Sequence, residues 1–120
     1  VIAKVGGLDI AGMVGCYLGA AICQMPILID GFISAVSAYL ACMLNQTAKE
    51  YMIPTHCSAE PAAKMIMEKL GMEAPLHAGM HLGEGTGAIM GLSLINQALN
   101  VYYHVATFEG GHVEAYTHQV

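Results

Sequence analysis

The chain has 120 residues, 56% of them hydrophobic and 11% charged, and a formal net charge of −5. That length holds one domain with a modest core. Its only fixed cations, Lys4, Lys49, Lys64 and Lys69, form no basic stripe to neutralise a phosphate backbone, which argues against nucleic acid as a partner. The charged fraction lies far below the usual quarter. Such a chain has too little polar surface to cover itself, and reads as the buried part of something larger or as an oligomer with a large apolar interface. A chain that starts at Val1 rather than Met points to a fragment in the same way. Cys16, Cys23, Cys42 and Cys57 lie in apolar sequence without a Cys-x-x-Cys pair, so buried free thiols in a reducing compartment are expected. The histidines include the pairs His77/His81 and His112/His118 but no supporting acid or cysteine cluster, so no metal and no other cofactor is expected.

In chain order, Val1 to Val5 is a short apolar run closed by Gly6-Gly7. Asp9 to Cys23 is apolar and small on every face, a helix expected to be buried all round. Pro26 to Ile29 is a compact apolar strand of the kind found in parallel sheets covered on both sides, ended by Asp30-Gly31. The whole run from Ile10 to Ile29 raises the question of a membrane span. Its flanks are Asp9 and Asp30 instead of Lys or Arg, and Pro26 splits it, so no membrane association is expected and no signal peptide is visible. Ile33 to Leu44 is a second apolar helix, followed by a polar break at Asn45 to Lys49. Tyr51 to Cys57 is extended, with Pro54 disfavouring helix before it. Ser58 is placed to cap the next helix, with Glu60 and Pro61 in its first turn. Ala62 to Leu70 is amphipathic, with Ala63, Ile66, Met67 and Leu70 inward and Gly71 as its C-cap. Pro75 to Leu82 is loop or short strand, and a long helix runs from Ala88 to about Phe108. Residues 109–120 are polar and His-rich, and read as a weakly ordered tail.

Alternating helix and strand predicts an α/β layer architecture: part of a doubly wound parallel sheet with flanking helices, a piece of a larger Rossmann-like domain. Ligands of such sheets bind beyond the carboxyl ends of the strands. That rule selects Asp30-Gly31, Ser58-Ala59-Glu60 and the turn before the long helix as three loops around one crevice. The third is the most telling: Leu82-Gly83-Glu84-Gly85-Thr86-Gly87-Ala88 sets one carboxylate between two glycines. Thr86 could cap the helix behind it, leaving free amides and a positive dipole end to hold an anion, while Glu84 accepts a proton from a substrate. Ser58 would offer a hydroxyl to a phosphate, and Asp30 would accept from ribose hydroxyls. No Gly-x-Gly-x-x-Gly or P-loop spacing is present, so ordinary dinucleotide or ATP binding is not indicated.

Taken together, Val5-Gly6-Gly7-Leu8-Asp9-Ile10-Ala11, Leu28-Ile29-Asp30-Gly31-Phe32-Ile33, His56-Cys57-Ser58-Ala59-Glu60-Pro61 and Leu82 to Ala88 resemble the C-terminal part of the nicotinate-nucleotide:dimethylbenzimidazole phosphoribosyltransferase family (CobT-like). The resemblance runs from Val5 to Phe108. It implies transfer of the phosphoribosyl group of nicotinate mononucleotide to 5,6-dimethylbenzimidazole or a related base, giving α-ribazole 5′-phosphate and nicotinate for the lower nucleotide of cobalamin. It also implies Glu84 as general base, Ser58, Asp30, Gly31, Gly85 and Gly87 on the phosphate and ribose, and Leu82 against the base. A cytoplasmic homodimer without cofactor is implied as well. The departures are His81, where many relatives have arginine, and Ala62-Ala63, where many have Gly-His. A further loop of the family's nucleotide site, of Gly-Glu-Met-Gly-Ile-Gly-Asn type, is not in this sequence. Residues 1–108 are therefore expected to be the C-terminal part of the transferase domain, inactive alone if that loop is indispensable. The rival readings are a non-catalytic module that holds a nucleotide or benzimidazole, and a membrane or assembly element built on the apolar first 45 residues.

Overall fold

The computed structural model describes Lys4 and residues 6–114; the run Val1 to Val5, Lys4 apart, and residues 115–120 of the tail lie outside the described residues. Helix α1 (Leu8–Ile22) leads through Cys23–Pro26 into strand β1 (Ile27–Ile29) and helix α2 (Phe32–Leu44). A 3-10 helix, Gln46–Tyr51, replaces the expected polar break, capped by Asn45, whose side chain accepts from the Thr47 amide at 3.1 Å. Strand β2 (Met52–Pro54), helix α3 (Ala63–Leu70) and helix α4 (Thr86–His104) complete the order.

Strands β1 and β2 pair in parallel, with Ile27 opposite Met52 and Ile29 opposite Pro54. The pairing continues past Pro54: the Thr55 amide donates to the Ile29 carbonyl at 3.2 Å, and His56 bridges in parallel to Leu76. The expected α/β layering with a parallel sheet is thus what forms, as two strands and one further bridge. The core lies between α1, α2 and α3, where Val14, Tyr17, Ala35, Ala38, Ala41, Met67 and Leu70 are buried with Ile29 and Met52. Alanines at 35, 38 and 41 make a narrow stripe on α2, which brings neighbouring helices close. Ser37 is fully buried in the same face, and its hydroxyl donates to the Ile33 carbonyl at 2.9 Å. Satisfying it locally avoids the cost of an unpaired buried polar group.

Three expectations need correction. Helix α1 is not buried all round: Val14 and Tyr17 are its buried residues, while Leu8 and Ile22 are 93% and 81% exposed. Helix α2 and the 3-10 helix pack on one face of α1 and leave the other bare. The thiols follow suit, with Cys16 and Cys23 exposed and Cys42 and Cys57 half-buried. Ser58 does not cap a helix. Helix α3 begins only at Ala63 with Ala62 as N-cap, and the Ser58 hydroxyl oxygen instead accepts from the Glu60 amide at 3.4 Å. Gly71 does end α3, in the left-handed conformation expected of a C-cap glycine (φ 60°).

Helix α4 starts at Thr86 and ends at His104, short of Phe108, and it meets the rest of the fold through its first turns only. Gly87 and Gly91, four residues apart and so on one face, are its buried residues. A Cβ at Gly91 would lie 2.6 Å from the Thr55 Cβ, and one at Gly87 would run into the His56 ring. Glycine at both positions is what lets the helix lie directly on the segment that follows β2. Beyond Gly91 the helix projects with Leu92, Leu99, Val101, Tyr102 and Tyr103 exposed. At residues 107–113 the chain folds back on itself, with the Gly111 amide on the Thr107 carbonyl and the Val113 amide on the Phe108 carbonyl.

Candidate active site

The segments that follow β1 and β2 and the turn before α4 do converge. They enclose a cavity of about 440 Å³ whose wall includes Asp30, Gly31, Ser34, His56, Ser58, Glu60, His81, Leu82, Gly83, Glu84 and Gly85, with Met13 from α1. The volume is within the range of small-ligand sites, roughly 300–1,000 Å³. Leu82 is 72% exposed and so offers a bare apolar surface at the rim.

The turn carrying Glu84 has an unusual backbone. Gly83, Glu84 and Gly85 have φ of 77°, 55° and 81°, three left-handed residues in succession. Glycine adopts this conformation freely, whereas a side-chain-bearing residue pays about 1–2 kcal/mol for it. Strain of this kind persists where the surroundings hold it and collects at functional sites. Here it turns an exposed glutamate onto the wall of the cavity.

Asp30 supplies the hold. One of its carboxylate oxygens accepts from the Gly85 amide at 3.0 Å and the other from the Ala88 amide at 2.9 Å. Asp30 is therefore the cap of α4, reached from 55 residues away, and its negative charge sits at the positive end of the helix. Thr86 is not the cap as expected. It is the first helical residue, and its hydroxyl donates to the Gly83 carbonyl at 2.8 Å. Of the amides thought free to hold an anion, Asp30 already occupies two, those of Gly85 and Ala88. Asp30 is itself anchored through its own amide, which donates to the Ser34 hydroxyl oxygen at 3.1 Å, and Ser34 pairs with the Tyr17 hydroxyl. Burial pushes the Tyr17 phenol up to about 12, the Ser34 bond opposing and the Asp30 charge adding to the effect.

Of the other expected site residues, Ser58 is nearly buried in the cavity wall. Its oxygen accepts from the Glu60 amide, so its hydroxyl proton is left to donate. Gly31 and Gly85 line the cavity, whereas Gly87 is buried against His56 and does not. His56, 4% exposed, is the residue that reading the loops missed, although its spacing of two from Ser58 puts both on one side of an extended segment. The wall holds the carboxylates of Asp30, Glu60 and Glu84 and neither lysine nor arginine. Among the described residues no group of three or more potential metal ligands comes together.

A glutamate held on a strained turn beside an apolar rim and a serine donor, at the carboxyl ends of parallel strands, makes a candidate ligand site of the α/β type. Residues 1–113 match the family model DBI_PRT, described as phosphoribosyltransferase, and the chain belongs to that family. It is 48% identical over 120 residues to the nicotinate-nucleotide–dimethylbenzimidazole phosphoribosyltransferase of Acetivibrio thermocellus, covering all of this chain and 34% of that protein. Identity to the protein of the same name from Clostridium acetobutylicum is 50% over 116 residues, covering 97% of this chain and 33% of that one. The crystal structure of CobT from Thermus thermophilus superposes with a TM-score of 0.87 at 32% identity, covering 95% of this chain and 34% of that chain. The chain thus spans about a third of the length of the relatives it matches.

Proposed function

We propose that this chain carries the catalytic glutamate of an enzyme that moves the phosphoribosyl group of nicotinate mononucleotide to 5,6-dimethylbenzimidazole or a related lower-ligand base. A ring nitrogen of the base attacks C1′ of the ribose as the C1′–nicotinate bond breaks. Nicotinate leaves with the bonding electrons, and the proton of the attacking ring passes to Glu84. The product is α-ribazole 5′-phosphate, with the anomeric configuration inverted. Positive charge builds on the azole as the new bond forms, so its proton grows acidic enough for an ordinary carboxylate to take. The nicotinate ring is cationic in the nucleotide and leaves as a neutral pyridine, and no protein nucleophile is needed.

The observation that carries this reading is Glu84, turned onto the cavity wall in a left-handed conformation between Gly83 and Gly85. Leu82 at the rim gives an apolar seat for the base, and Ser58, Gly31 and Gly85 form the phosphoribosyl side. Asp30 and Gly87 act on that side indirectly, Asp30 by capping α4 and Gly87 by letting the helix come close. The cationic partner that a phosphate calls for is not in this wall and would come from elsewhere in the assembled enzyme. A cytoplasmic homodimer belongs to the same reading. The exposed apolar second half of α4, with Leu99, Val101 and Tyr102 bare, supports an interface, and no helix among the described residues is long and apolar enough to cross a membrane.

The test is incubation with nicotinate mononucleotide and dimethylbenzimidazole, followed by chromatography for nicotinate and ribazole phosphate. Equimolar products are expected from the full-length enzyme that carries this segment, with Glu84→Gln slower by a factor of roughly 10²–10⁴, the usual contribution of a general base. Turnover unchanged in Glu84→Gln would remove the assigned role. Ligand binding without product would favour the rival: a module, or an incomplete site, that holds nucleotide or benzimidazole without reaction.

A further inference from the structure

His56 has a buried nitrogen that the mechanism above leaves unused. The ring is pinned between two backbones: its Cε1 lies 3.6 Å from where a Cβ on Gly31 would be, and its Nδ1 abuts Gly87. That Nδ1 is sealed from solvent and has no hydrogen-bond partner among the described residues. Facing it is the start of α4. There the Gly85 and Ala88 amides go to Asp30 and the Thr86 amide to the Gly83 carbonyl, while the Gly87 amide finds no acceptor among the described residues. An orphan donor and an orphan acceptor therefore sit side by side. A proton on Nδ1 would be buried against Gly87 at the positive end of the helix, whereas a lone pair suits that end. The ring proton consequently belongs on Nε2. The ring's small exposed surface is part of the cavity wall, beside the near-buried Ser58.

We propose that His56 is a further substrate-contacting residue: its Nε2–H and the Ser58 hydroxyl together donate to an oxygen of the nucleotide's phosphoribosyl group. The inference rests on reading the cavity as a nucleotide site. In a wall that bears three carboxylates and neither lysine nor arginine, these two are buried hydrogen-bond donors that both line the cavity, two residues apart on one extended segment. Preorganised donors of this kind cost little ordering on binding.

Two measurements test it. Long-range proton–nitrogen correlation on histidine-labelled protein reads the tautomer without ligand: a proton on Nε2 is expected, and a proton on Nδ1 would overturn the proposal. Calorimetric titration with nicotinate mononucleotide then compares variants. His56→Gln places an amide donor where Nε2 is and should bind within about threefold of the parent. His56→Asn places an acceptor near Nδ1 but lacks the reach, and His56→Phe keeps only the shape; both should bind roughly ten- to a hundredfold more weakly. Thermal midpoints separate loss of contact from loss of fold, since His56→Asn restores the acceptor toward Gly87 and should keep the parent's midpoint. Parent-like binding by His56→Phe, or rescue by Asn instead of Gln, would show that the ring only packs the helix. Binding is read in the full-length enzyme; if that protein bound no nucleotide, with its Nε2–H tautomer in place, the nucleotide reading would fall and this assignment with it.

Discussion

Asp30→Ala removes both acceptors from the first turn of α4 in one step. The carboxylate takes the Gly85 and Ala88 amides at 3.0 and 2.9 Å, each a hydrogen bond to a charged group. Such bonds are worth about 1.5–3 kcal/mol, whereas loss of an ordinary N-cap costs about 0.5–2 kcal/mol. Asp30 is half-buried, so solvent weakens the upper figure, and a cost of about 2–4 kcal/mol is expected. Asp30→Asn keeps one acceptor but turns an NH₂ group toward a backbone N–H, and should lose about 1–3 kcal/mol. Both are large against a total stability on the order of 5–15 kcal/mol. Urea unfolding measures the loss as a lower midpoint at constant slope. Amide exchange locates it, since Gly85 and Ala88 should lose protection before Ile89, which bonds the Gly85 carbonyl at 3.0 Å. A cost below about 0.5 kcal/mol, or unchanged exchange at those two amides, would refute the capping argument. It would also return Asp30 to the ligand side of the site.

Two further outcomes follow from the same geometry. Gly87→Ala should destabilise by about 1–3 kcal/mol, because its methyl meets a ring already confined by Gly31, while Ile89→Ala on the open face (67% exposed) should change little; chemical unfolding of the two variants side by side checks this. Tyr17 makes folding sensitive to base. Its pKa rises from 10.0 in the unfolded chain to about 12 in the fold, so its contribution is complete below pH 10 and is lost as the pH climbs towards 12. The parent should lose on the order of 2 kcal/mol of stability across that window relative to Tyr17→Phe, and parallel unfolding curves for the two would show that the phenol is not held by burial.

Much of this protein is local and was readable as such. The apolar runs end where Asp30-Gly31 and Gly71 stop them, Ala63, Met67 and Leu70 fall on the inner face of α3 as their spacing requires, and the order of helices and strands suffices for a parallel sheet with loops at one end. The Leu82 to Ala88 stretch announced its acid by placing it between glycines, because only a special backbone needs that composition. What the tertiary structure alone decided is which groups answer one another across the fold. Residue spacing placed Thr86 at the start of α4, yet the cap is Asp30, 55 residues away, because a charged acceptor that reaches two amides outcompetes a hydroxyl that can bond its own turn. Gly87, expected on the phosphoribosyl side, and Gly91, which nothing in the sequence singles out, are set by Thr55 and His56 lying against them, and it is the fold that seals the His56 Nδ1. Apolar composition likewise promised helices buried all round, whereas burial depends on what else is present to cover them, and here one face of α1 and most of α4 stay bare.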